Sequence, residues 1–71
     1  MNFGEALEQL KEGKKITTYG WGDAYIRLKV PNDLSDVNMP YIYMVLESGQ
    51  KVIWIPTHTE ILDENWELKE W

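Results

Sequence analysis

The stretch KVIWIPTHTEILDENW, residues 51–66, decides the fold. It opens on Val52, Ile53, Trp54 and Ile55, an apolar run of β-formers that reads as a buried or two-sided strand. Pro56 has no N–H to give a sheet ladder, so the strand ends there. Thr57-His58-Thr59-Glu60 has the form of a capping box, in which Thr57 caps a short helical turn and Glu60 reaches back to it. Ile61 and Leu62 are expected to plant that turn on the core, and Trp66 to open a last strand. Such a corner, flanked by tryptophans, can hold a small polar molecule. It can equally be a small core, and spacing alone favours the core.

Working outward, Ser48-Gly49-Gln50 reads as a hairpin turn into this stretch. Residues 41–47, YIYMVLE, form the preceding strand, with Ile42, Met44 and Leu46 opposite Tyr41, Tyr43 and Val45. It is apolar on both faces; one is expected to cover a helix and the other to meet a second subunit. Residues 31–40, PNDLSDVNMP, are polar and bracketed by prolines, and read as a connecting loop rather than a lid. Residues 24–30 alternate: Ala24, Ile26, Leu28 and Val30 face one way, Tyr25, Arg27 and Lys29 the other, as in a half-buried antiparallel strand. Before it, Gly20-Trp21-Gly22 is either a turn that holds an indole at an open edge or a tight hairpin with Trp21 as a core plug. Residues 14–18 read as a short strand.

At the start of the chain, Asn2 and Glu5 form a second capping box, followed by Phe3, Ala6, Leu7 and Leu10 at the spacing of one buried helical face. Gly13 is placed to end that helix in a left-handed conformation. Residues 67–71 alternate as a final edge strand whose charges discourage further pairing. The expected fold is α+β: an N-terminal helix packed on a small antiparallel β-sheet, with a short helical turn before the last strand, in one domain over residues 1–71.

A chain of 71 residues buries only a modest fraction of its surface, so a lone core is marginal. There is no cysteine for disulfides, and one histidine without cysteine excludes the usual structural zinc sites. Four tryptophans, four tyrosines and one phenylalanine supply large side chains instead, and a homo-oligomer is the leading expectation. A net charge of −5 argues against nucleic-acid polymers and anionic membranes as partners. The polar N-terminus is unlike a signal peptide and no apolar run reaches transmembrane length, which with the lack of cysteine fits a cytoplasmic protein.

Catalysis is poorly supported. Thr57, His58 and Glu60 stand too close in sequence to converge as a hydrolytic triad. Glu60, Asp63 and Glu64 read as a solvated acidic face rather than a metal site, and no glycine-rich phosphate loop is present. The chain therefore reads as a non-enzyme without a cofactor. What remains is aromatic plates beside small polar groups. Trp21, Trp54 and Trp66, with Phe3, can stack on a purine, while Thr57, Thr59 and backbone N–H groups can hold hydroxyls or phosphate oxygens.

Several blocks, in order, resemble the Thoeris anti-defence 2 family of small phage and prophage domains. The opening MNFGEALEQLKEGKKI is similar to the family's start through Phe3, Gly4, Ala6, Leu7, Leu10, Gly13 and Lys15. Gly20-Trp21 matches its Gly-Trp pair. Trp54, Thr57 (usually Ser), Glu60 (usually Asp), Ile61-Leu62 and Asn65-Trp66 (usually Asp-Trp) match its closing block. The resemblance implies a homotetramer that does no chemistry and binds the cyclic ADP-ribose-type signal of Thoeris immunity, or in some relatives a cyclic dinucleotide. Carried over by motif, Phe3, Gly4, Trp21, Trp54, Thr57, His58 and Thr59 are the implied ligand positions. The family often has Arg where this chain has Thr18 and Asn where it has Gly22, and the segment between Val30 and Tyr41 is short. Arg27 or Lys15 is a candidate to replace the missing Arg. The competing expectation is an acidic module, carrying Glu64, Glu67 and Glu70, that blocks a host protein.

Overall fold

The computed structural model describes residues 1–30 and 39–70. The reading of residues 31–40 as a connection falls largely outside the described residues. The elements in order are α1 (Phe3–Lys11), β1 (Ile16–Thr17), β2 (Tyr25–Lys29), β3 (Tyr41–Val45), β4 (Lys51–Ile53), α2 (His58–Leu62) and β5 (Glu67–Leu68). The five strands form one antiparallel sheet in the order β4-β3-β2-β1-β5. This is the α+β architecture expected, with β5 on an edge.

Local chemistry accounts for α1. Asn2 Oδ1 accepts from the Glu5 N–H at 2.8 Å and Glu5 Oε1 accepts from the Asn2 N–H at 3.0 Å, so two otherwise orphaned donors are satisfied together. Gly13, at φ +86°, turns the chain out of the helix. Ala6 and Leu10 are fully buried against Ile16 of β1 and Ile26 of β2. The start of the chain is tied to the last strand as well: the Met1 ammonium donates to the Trp66 carbonyl at 2.7 Å, and the Trp66 N–H to the Met1 carbonyl at 3.1 Å. This pins the entrance of α1 beside the start of β5.

The register of β2 on β3, from Tyr25 opposite Val45 to Lys29 opposite Tyr41, follows from alternation. Ile26 is buried and Leu28, Ile42 and Met44 pack on the core, while Tyr25, Arg27, Tyr41 and Tyr43 lie on the other face. Val30 departs from the expected inward set: it lies beyond the end of β2 and is exposed. The turn after β3 closes with the Leu46 N–H on the Gln50 carbonyl at 2.8 Å, with Gly49 at φ +91°.

Two expectations for residues 51–66 are corrected. The apolar run is not a buried strand. β4 is the three-residue edge of the sheet; Val52 is exposed, Ile53 is 70% exposed and Ile55 80%, and Trp54 alone turns into the core. An edge strand this short has one neighbour, and no second layer among the described residues covers it. Nor do Ile61 and Leu62 plant α2 on the core, since both are exposed, Leu62 at 77%. The short helix is attached by its backbone: Trp66 Nε1–H donates to the Glu60 carbonyl at 3.0 Å.

Candidate functional site

The aromatic residues singled out in the sequence converge. Trp21 and Trp66 rings lie 5.1 Å apart at 85°, Trp54 and Trp66 5.9 Å at 83°, and Trp21 and Trp54 6.0 Å at 72°. Phe3 sits 5.9 Å from Trp66 and 6.1 Å from Trp54. Edge-to-face contacts of this kind place the positive rim of one ring on the negative face of the next, so they hold orientation as well as bury area. Burial divides the four. Trp66 is 1% exposed and Trp54 9%, whereas Trp21 and Phe3 keep part of their surface open. The first pair braces; the second pair offers a surface.

Two glycines position the open indole. Gly20 at φ +91° and Gly22 at φ +61° occupy the left-handed region on either side of Trp21. The Trp21 N–H donates to the Thr18 carbonyl at 3.3 Å, the Ala24 N–H to the Trp21 carbonyl at 3.1 Å, and Thr17 Oγ1 to the Ala24 carbonyl at 2.8 Å across the base of the turn. A Cβ at Gly22 would run into the Glu47 carboxylate. Trp21 is thus a half-open side chain on a constrained turn, which combines the two alternatives left by the sequence. Gly4 leaves the first turn of α1 bare beside Phe3; a methyl group added there would meet Asn2 Oδ1 first, at 3.4 Å.

The polar corner is exposed. Thr57 Oγ1 accepts from the Glu60 N–H at 3.3 Å and Glu60 Oε1 accepts from the Thr57 N–H at 2.8 Å, which completes the expected capping box. A hydroxyl that accepts in a cap keeps its own hydrogen to donate outward. His58 and Thr59 are exposed to solvent on the first turn of α2. The corner joins the aromatic cluster through Glu60, whose carbonyl receives the Trp66 indole.

Sequence reasoning missed a polar knot beneath this corner. Thr18 Oγ1 donates to Asp63 Oδ2 at 2.7 Å and lies 3.3 Å from the Asn65 carbonyl, while the Asn65 N–H donates to Asp63 Oδ1 at 2.9 Å. The Thr18 hydroxyl and then the Asn65 N–H hold the Asp63 carboxyl below its ordinary range. The local signal was Asp63-Glu64-Asn65, whose Asx turn is legible; its long-range partner was not. Thr18 is committed to this structural contact. Within the chain, Arg27 and Lys15 lie away from the aromatic cluster. Arg27 donates to the Gly13 carbonyl at 3.3 Å and Lys15 lies over the Tyr25 ring at 5.1 Å, both on the sheet face away from the core.

Among the described residues no helix is long and apolar enough to cross a membrane. The family model for the Thoeris anti-defense 2-like domain matches residues 1–69. The chain is also similar to a Bacillus phage SP01 protein named Thoeris anti-defense 2, at 30% identity over an alignment that covers 96% of this chain and 93% of the relative. On that match across nearly its whole length, the chain belongs to the Thoeris anti-defense 2-like family.

Proposed function

We propose that this protein acts for a phage against Thoeris immunity in the host cytoplasm, by binding and sequestering a cyclic ADP-ribose-type signal, or a cyclic dinucleotide, without cleaving it. Family membership supports the anti-defence role. The observation that carries the binding mode is the half-open Trp21 indole, held edge-on by the buried Trp54 and Trp66 rings. A flat heterocycle seated on Trp21 and Phe3 gains about 1–3 kcal/mol of stacking. Thr57, His58 and Thr59 then donate to its hydroxyls or phosphate oxygens, and Gly4 leaves room beside Phe3. No side chain in this set is placed to act as a paired acid and base, so the ligand is held intact.

The working unit in this reading is a homo-oligomer, a tetramer or a dimer, and the exposed Ile53, Ile55 and Leu62 support it. Bare apolar residues beside an open sheet edge are covered in stable proteins, most directly by another copy. Titration calorimetry against cyclic ADP-ribose isomers and cyclic dinucleotides tests the proposal. Sequestration needs a Kd of about 1 nM, near −12 kcal/mol, and recovery of unaltered ligand by mass spectrometry. Flat titrations across that panel overturn it.

The exposed Glu64, Glu67 and Glu70, at the β5 end of the chain, support a second reading as an acidic interaction module that blocks a host protein. A stoichiometric host partner retained by a protein that is monomeric in sedimentation would select that reading over the first.

A further inference from the structure

Packing does little to hold α2 in place. The helix is five residues long, buries none of its side chains, and among the described residues lies against α1 and against no strand of the sheet. A helix of that length has no stability of its own. Two side-chain hydrogen bonds near its C-terminal end tie it to the rest of the described chain. One is the Trp66 indole on the Glu60 carbonyl at 3.0 Å. The other comes from Thr18, the residue after β1, whose Oγ1 donates to Asp63 Oδ2 at 2.7 Å.

Asp63 stands between the two halves of the candidate site. Its N–H closes the last turn of α2 on the Glu60 carbonyl at 3.3 Å, and its Oδ1 accepts from the Asn65 N–H at 2.9 Å. Its Oδ2 takes the Thr18 hydroxyl, and the Thr18 carbonyl takes the Trp21 N–H at 3.3 Å. A continuous chain of hydrogen bonds therefore leads from α2, through Asp63 and Thr18, to the turn that carries the open indole. Stability alone does not call for it. Thr18 is 8% exposed, and replacing both partners of such a bond by apolar groups of the same shape is nearly neutral. What a charge-assisted bond to a carboxylate adds is a fixed direction.

We propose that Asp63 is a positioning residue of the ligand site: latched to Thr18, it sets the distance and angle at which α2 presents Thr57, His58 and Thr59 to a heterocycle stacked on Trp21. Asp63 itself touches no ligand. With the latch broken, α2 swings on the Trp66 indole bond, the aromatic seat stays as it is, and the polar half of the site is lost. This inference rests on the sponge reading of the corner. It divides that site into two separable parts, a seat that depends on Trp21 and an arm that depends on Asp63.

Thr18→Val breaks the latch while keeping the size of the side chain, and Thr18→Ser restores it. Two probes separate the parts: adenosine, which occupies the seat alone, and a cyclic ADP-ribose isomer, which needs the arm as well. In calorimetry of the full chain at neutral pH, Thr18→Val and Asp63→Ala should each weaken the cyclic compound at least tenfold. The double variant should weaken it no further, and Thr18→Ser less than twofold. Adenosine, followed by the Trp21 indole shift, should bind all of them alike. In the ligand-free Thr18→Val chain, backbone order parameters over residues 58–62 should fall below about 0.6 while those of β2 and β3 stay high. Equal losses for adenosine and the cyclic compound would make the contact part of the fold alone and overturn the proposal, as would unchanged order parameters in α2. A wild-type chain that binds neither probe overturns the sponge reading and this inference together. Wild-type binding that Thr18→Val leaves as tight overturns this inference alone.

Discussion

The two tryptophans and the aliphatic side chains of residues 51–66 are comparable in hydrophobicity and meet opposite fates. Trp54 and Trp66 go inside and brace the aromatic cluster, whereas Ile53, Ile55 and Leu62 stay outside. Composition does not separate them; position in the sheet does. Trp54 N–H donates to the Ile42 carbonyl at 3.0 Å, one step beyond β4, so strand alternation turns its ring to the core side. Ile53, just before it, faces out on an edge strand. The difference teaches that in so small a domain hydrophobicity alone does not decide burial, and on the proposed reading the surplus left outside is where another copy docks.

Breaking the inner half of the comparison should cost most. Trp66→Ala removes a fully buried indole, its bond to Glu60 and contacts to three other rings, and large-to-small core changes of this kind cost about 3–5 kcal/mol. That is a large share of the stability of a domain this size, so urea denaturation should show it largely unfolded in buffer. Breaking the outer half should do the reverse. Ile55→Asp is expected to abolish self-association in sedimentation velocity while circular dichroism stays unchanged, since an exposed substitution shifts intrinsic stability by about 0.5 kcal/mol or less.

Trp21 stands between the two halves. Its partial exposure predicts that Trp21→Ala lowers affinity for the cyclic signal at least tenfold in calorimetry while leaving the oligomer intact. Unchanged binding in that variant would make Trp21 a core residue only.

The smallest expected effect sharpens how the corner is held. Asp63 is lowered below its ordinary value of 3.8 by Thr18 and Asn65. A carboxyl depressed in the folded state adds stability that is fully present above the unfolded value and is lost as pH falls through the folded one. Thr18→Val removes the leading cause. Its destabilisation relative to wild type should therefore be greatest above about pH 4 and shrink below it, read from denaturation midpoints across pH 2–7.

Legibility in the sequence followed the range of the interaction. Both capping boxes, Asn2 with Glu5 and Thr57 with Glu60, span three residues and were readable, as were the glycine turns at Gly13 and Gly49 and the alternation of β2. The exposure of Ile53 and Ile55 was not, because which strand lies at the edge is decided by pairing among all five. Thr18 with Asp63 joins residues 45 apart in sequence. At the candidate site, the meeting of Phe3, Trp21 and Trp54 was anticipated as a constellation. Their division into braces and an open ring was not, since periodicity carries no account of which large side chain fills a small core first.

Sequestration as proposed requires Trp21 to present its ring to a ligand while Trp66 stays sealed behind it. The most direct measurement is the two-dimensional NMR spectrum of the indole N–H groups as a cyclic ADP-ribose isomer is titrated to saturation. The predicted result is that the Trp21 signal moves strongly, while the Trp66 signal, bonded to the Glu60 carbonyl, moves little. A Trp21 signal that holds its place at saturation would contradict it.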